Sequence, residues 1–334
     1  MIIRYDAKNS IRQQAGITLV ELMVALTIGS FLMIGAVQIY NQSRHAFVIN
    51  ESIARVQETA QFAMDTIEAD LRMASNWGQH SRGAAIDGRS IIGGDLNPLA
   101  LPAPVTCGAA WALDLGQPLV GSNNAYTLPC AATGGVQPNS DVITTRRATV
   151  LPATPKAGYL QIQTTRIQGE LFADGNVPSG FNIDPLIGPV SETHSLLVNS
   201  YYVAASSELI PGVPTLRRKM LTGGAGGPLI VDQEVAPGVE NIQLQLGVDV
   251  DQDNTVDRYV NPGDPIFIPG DVAFIAGARV ITARIWIVVR GITREAGIVD
   301  TVNYQPGDVT LGVFNDSFRR MQISKTILLR NART

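Results

Sequence analysis

Three sets of residues in this 334-residue chain have the types and spacing to do chemistry. The first is Asp249, Asp251, Asp253 and Asp257, at relative positions 1, 3, 5 and 9 of one acidic run. Carboxylates so spaced on a tight loop can converge on one hard cation, and calcium takes oxygen ligands. The match to an EF-hand loop is incomplete. Asn254 stands where that loop needs glycine, and Val260 where it needs a bidentate Glu. The preceding residues read as a strand. The competing reading is therefore a solvated hairpin tip in which Asp and Asn serve the turn. Calcium is the one cofactor these residues suggest, and nothing in the sequence requires one. The second set is Cys107 and Cys130, the only cysteines, with 22 residues between them. The third is a single carboxylate, Glu21, in an otherwise uncharged run over residues 17–40.

Enzyme chemistry finds little footing, and the expectation is a protein that is not an enzyme. His45, His80 and His194 are scattered and form no HxxxH pair. No G-x-S-x-G nucleophile elbow occurs. Trp77 and Trp286 read as packing anchors, and His45 as part of a helix's polar face.

Glu21 raises a sharper problem. A helix rises about 1.5 Å per residue, so residues 17–40 can cross a hydrocarbon core of about 30 Å. Arg4, Lys8 and Arg12 precede the run against Asp6. That basic flank would stay in the cytoplasm. A cleavable secretory signal has a shorter apolar core and ends in a small-x-small site, which is not seen here. A plain signal anchor fits the length but leaves Glu21 unexplained, since a carboxylate there costs a few kcal/mol. Cleavage after Gly16 would supply the missing partner. Ile17 would become a new N-terminus, one helical turn from Glu21. One subunit's carboxylate could then neutralise a neighbour's amine.

Residues 16–26, GITLVELMVAL, resemble the cleavage motif of type IV prepilins. The resemblance implies that a membrane prepilin peptidase cuts between Gly16 and Ile17 and methylates the Ile17 amine. It also implies that Glu21, the fifth mature residue, directs assembly. The first mature residue is often Phe in that family; Ile17 departs from it but stays bulky and apolar. Two further stretches resemble the PilW branch of minor pilins: the acidic run over residues 247–259 and the ending over residues 319–331. The resemblance implies a role in pilus assembly, at the tip or along the filament, with links to adhesion, twitching motility and DNA uptake. The partners it implies are other minor pilins, the major pilin, a large tip adhesin and the inner-membrane assembly machinery. A minor pseudopilin of type II secretion shares the N-terminus. A membrane-anchored adhesive protein acting alone is the rival from another class.

Composition and periodicity set the frame for these sites. Removing residues 1–16 takes away three cations and one anion and moves the formal charge from −4 to −6. That is no electrostatic footprint for nucleic acid. An export route places both cysteines where disulfides persist, so a bridge is expected, with two free thiols as the alternative. Ile49, Ile53, Val56, Ala60, Ala63, Ile67, Leu71 and Ala74 recur at helical spacing. Glu51, Arg55, Glu58, Asp65, Glu68 and Arg72 fall on the other face. No Pro interrupts residues 17–76, which predicts one continuous helix. Residues 79–140 read as a long irregular connection. Strands are predicted over 142–147, 159–167, 196–204, 215–220, 242–248, 279–290 and 322–329. The strongest is 279–290, whose β-branched run predicts a central strand. The glycines of residues 223–227 lack a following Lys-Ser/Thr and read as a flexible loop. The expected layout is a leader (1–16), a membrane or filament-core half-helix (17–40), an amphipathic half-helix (41–76) and a β-rich extracytoplasmic domain (77–334). The fold class is α+β and pilin-like, a long N-terminal helix packed on an antiparallel sheet. The protein is expected in the inner membrane, then in the pilus at the cell surface.

Overall fold

The computed structural model describes residues 16–90, 107, 110–181 and 191–333. The basic leader over residues 1–15 lies outside them. The chain forms two units, Met1–Ser52 and Ile53–Thr334.

One helix, α1 (Leu19–Met73), makes up most of the described first unit and opens the second. It is shorter than the predicted 17–76 at both ends, for local reasons. Thr18 caps its start through a hydrogen bond with Glu21. Beyond its end Ser75 takes φ +67°, which leaves the right-handed path. In the second unit, Val56, Ala60, Ala63, Ile67 and Leu71 of the apolar stripe are buried. Glu68, which periodicity places on the solvent face, is buried as well. It is satisfied there by Arg72 on its own helix and by Lys325.

The β part is two sheets and a short ribbon, not a single sheet. The first sheet contains β1 (Ile86–Asp87), β2 (Leu119–Ser122), β3 (Val142–Ala148) and β4 (Gln161–Thr164). It also contains β5 (Gly169–Phe172), β6 (Glu192–Ala204), β7 (Thr215–Gly224) and β8 (Gly227–Pro237). The order is β1-β5-β4-β6-β3-β2, with β7 on β6 and β8 outside β7. Among the described residues only β1 and β5 pair in parallel. The start of β6 pairs with β4 and its end with β7, so one 13-residue strand joins both parts of the sheet.

The second sheet is wholly antiparallel. Its order is β10 (Arg258–Val260), β9 (Val239–Asp249), β11 (Arg279–Arg290) and β14 (Arg320–Leu328). The ribbon pairs β12 (Asn303–Tyr304) with β13 (Gly312–Val313). As its residues predict, β11 is central. Only Gly238 separates β8 from β9. It has φ +94°, and a Cβ there would lie 2.7 Å from the Arg290 carbonyl oxygen. A glycine is what lets the chain pass from one sheet directly into the other.

The glycine run over 223–227 is not a loose loop. It is the tight turn of the β7–β8 hairpin. A Cβ on Gly223 would come within 2.2 Å of the Gly158 carbonyl oxygen, so the missing side chain serves a backbone contact. Sequence reasoning passed over β8 for this reason, because the glycines hid its start.

The α1 stripe forms one core with residues of both sheets, among them Tyr201, Leu216, Ile242 and Ile285. A second cluster gathers Trp77, Ile162, Leu196 and Cys107. Trp77 is the packing anchor expected of it, while Trp286 is only half-buried on β11. The helix is also fixed by polar contacts. Asp70 is 4% exposed. Its Oδ1 accepts from Arg147 of β3 at 3.0 and 2.8 Å. Its Oδ2 accepts from Asn199 and Tyr201 of β6, both at 2.6 Å.

Candidate functional site

The first turn of α1 determines what Glu21 can do. Its Oε2 accepts from the Thr18 backbone N–H at 3.0 Å and from the Thr18 hydroxyl at 2.9 Å. The Thr18 oxygen in turn accepts from the Glu21 N–H at 3.2 Å. This is a reciprocal capping box, and it satisfies two of the N–H groups that a helix start leaves open. Sequence reasoning treated Glu21 as an unmet charge. The signal it missed is the Thr18-x-x-Glu21 spacing. Among the described residues the other carboxylate oxygen, Oε1, has no partner, and Glu21 is exposed.

The surface around that carboxylate is almost wholly apolar. Every residue over 16–40 is exposed apart from half-buried Gly35. Fifteen large apolar side chains, from Ile17 (76%) through Phe31 (77%) to Tyr40, lie open there. Each is worth about 1.5–3 kcal/mol when buried, so together they represent roughly 20 kcal/mol or more. A bare helix in water forgoes all of it. Lipid, or a bundle of like helices, recovers it. Gly16 and Ile17 precede the helix and are exposed.

Two family models match the chain. Residues 11–37 match the prokaryotic N-terminal methylation motif. Residues 200–331 match the type IV pilus-assembly protein W. Over these two stretches the chain is similar to a PilW-like type IV minor pilin. Searches of the curated proteins and of the solved structures returned no match. The PilW-like span runs from the end of β6 to the last described turn, and so contains the whole second sheet. Within it, Arg320 shows why the ending is distinctive. Its guanidinium is 1% exposed and meets Glu240 at 2.6 Å, Asp316 at 2.6 Å and Asp300 at 3.1 Å. Hydrogen bonds from Arg320 hold the Asp316 carboxyl below its ordinary range. These contacts tie β14 to β9 and to the 300–316 segment. Both matches point to a structural pilus component, and the motif with its apolar helix fits an inner-membrane-anchored pilin.

The acidic hairpin between β9 and β10 gathers three of its four carboxylates. Oxygens of Asp249, Asp251 and Asp257 lie within 4.8 Å of one another. Asp253 is not among them. It turns instead to the Thr255 N–H and hydroxyl, at 2.7 and 2.6 Å. Asp249 is fully buried, and its Oδ2 meets Arg279 at 2.7 Å. Its two oxygens also accept the N–H groups of Gln252 and Asn254. Burial pushes its pKa up, but Arg279 and the backbone donors outweigh that and hold it below the ordinary range. The set can share a hard cation through three carboxylates, with Arg279 already balancing one of them.

Cys107 and Cys130 form the expected disulfide. The histidines stay apart in role. His45 is exposed on α1, and His194 is buried with Nδ1 2.8 Å from the Thr149 carbonyl oxygen. His80 is half-buried, and burial pushes its pKa down.

Proposed function

We propose that this chain is a priming or tip-proximal minor pilin of the type IV pilus. On this reading prepilin peptidase cuts after Gly16 and methylates Ile17. The mature helix waits in the inner membrane and then moves into the filament bundle. Its apolar surface stays out of water throughout, so the transfer is driven by what differs between lipid and bundle. The difference is at Glu21. In lipid its Oε2 is held by Thr18 and its Oε1 is open. In the bundle the Ile17 amine of a neighbouring subunit meets that open oxygen. The β domain then selects which subunits join, among other minor pilins, the major pilin and a large tip adhesin, in support of twitching motility and adhesion.

The observation that carries this reading is the exposed apolar surface of residues 16–40 around one half-satisfied carboxylate. Mass spectrometry of the mature N-terminus tests it. The expected first residue is N-methylated Ile17. A functional protein that still begins at Met1 overturns the proposal. A deletion strain that loses exoprotein secretion and keeps its pili would move the assignment to a type II pseudopilin.

A further inference from the structure

We propose that Asn123, Gln243 and Asp308 hold a divalent cation of the calcium type, at a place separate from the acidic hairpin. Asn123 and Asn124 follow β2, Gln243 lies within β9, and Asp308 lies between β12 and β13. Three side-chain amides donate to one oxygen of Asp308. Asn123, Asn124 and Asn261 reach its Oδ2 at 3.0, 3.4 and 2.7 Å. Among the described residues nothing bonds to Oδ1. Gln243 is 1% exposed, yet its Oε1 has no partner. The Asn123 Oδ1 is likewise buried and unpartnered. A buried acceptor left open costs about 1–3 kcal/mol, so a native structure uses it for something.

The orientation of both amides is fixed by their other halves. The Gln243 Nε2 faces three oxygens, those of Asn139, Asn241 and Asn124, at 2.9, 3.1 and 3.3 Å. Turning the amide over would set oxygen against oxygen. Turning Asn123 over would set its oxygen against the Asp308 carboxylate. The open Gln243 oxygen lies next to the segment that carries Asp308: a Cβ built on Gly307, the residue before Asp308, would lie 3.6 Å from that oxygen. Asp141 lies close enough for the Asp308 charge to act on it, and both its oxygens are taken by backbone N–H groups. Among the described residues no Lys or Arg bonds to Asp141 or Asp308. The cluster therefore offers a carboxylate oxygen and two amide oxygens with no cationic side chain bonded to Asp308, and the open atoms are all acceptors. A hard cation that takes irregular oxygen ligands fits that donor set.

The test uses the full chain in detergent, with Asp251→Ala to silence the acidic hairpin, and titrates calcium chloride by calorimetry. The expected result is one saturable site at roughly 0.1–1 mM, the range of extracellular calcium modules. Asp308→Asn should weaken it by about tenfold or more. Asn123→Asp should tighten it, because it replaces an amide oxygen with a charged one. No saturable binding, or binding indifferent to Asp308→Asn, or weaker binding in a folded Asn123→Asp chain, would each show that the open oxygens hold only water. Proper processing and assembly with no calcium at this cluster would overturn this inference and leave the pilin reading untouched.

Discussion

Removing the Asp70 side chain should detach the helix from the first sheet. Asp70 sits at 4% exposure and receives four hydrogen bonds, two from Arg147 and one each from Asn199 and Tyr201. A hydrogen bond to a charged group is worth about 1.5–3 kcal/mol. Adding four such values would overcount, because partly exposed Arg147 can turn back to water. The better guide is the cost of breaking one side of a buried ion pair, about 3–5 kcal/mol. For a unit of this size that is roughly 10 °C in melting temperature. The assay is thermal and urea unfolding of residues 53–334, which form a compact unit of their own. Asp65→Ala is the control. That residue is exposed on the same helix and accepts a hydrogen bond from Gln61, one turn away. Its loss should cost no more than about 0.5 kcal/mol. If Asp70→Ala and Asp65→Ala differ by less than about 1 kcal/mol, the apolar stripe alone docks the helix. The role given to the polar contacts would then be wrong.

The two jobs of Glu21 can be separated. Thr18→Ala removes the capping box at a cost of about 1 kcal/mol in the helix but keeps the charge, so assembly into pili should survive. Glu21→Ala should abolish assembly, read as the amount of this subunit in sheared pili, and equal loss in both variants would make capping the whole role. At the acidic hairpin, calcium should raise the melting temperature of residues 53–334, and Asp251→Ala should remove that rise. An unchanged melting curve would leave Arg279 as the loop's sole counter-charge. Asp141 should give an inverted pH dependence. Burial pushes its pKa up to about 7, while an unfolded Asp titrates near its ordinary value of 3.8. Folding therefore holds its proton, and the stability that this provides is greatest at low pH and is lost as pH rises through about 7. Measured in chelator against Asp141→Asn, the wild type should lose up to about 4 kcal/mol between pH 4 and pH 8. A flat difference would contradict it.

Much of this was legible in the residues. The α1 stripe from Val56 to Leu71, the central position of β11 and the bridge between Cys107 and Cys130 all follow from spacing, β-branching and compartment. The rest depended on contacts between distant segments. Glu68 is a polar residue on a helix and reads as solvent-facing, because its partner Lys325 comes from a strand far along the chain, and Asp70 draws no notice because its partners Arg147 and Tyr201 also lie on distant strands. The glycines at 223–227 read as slack, because nothing local shows that Gly158 packs against them. The acidic run was read as four equal ligands. Which one turns away is decided by Thr255, and which one is buried by Arg279. The cluster around Gln243 is invisible in the sequence, since it joins stretches that lie up to 185 residues apart.

The capping box changes the energetics of the anchor itself. A bare acidic residue at the centre of a membrane helix costs about 2.5–3.5 kcal/mol on insertion scales. Glu21 lies in the first turn instead, where the helix dipole favours a negative charge. Thr18 gives one of its oxygens two hydrogen bonds there. The waiting subunit is therefore less strained than a lone membrane carboxylate implies. On the proposed mechanism, the gain from a neighbour's amine must come from the remaining oxygen and from the charge, which a hydroxyl and an amide N–H cannot neutralise. Such a preference for the bundle is modest for one subunit, and it is repeated each time a helix is added.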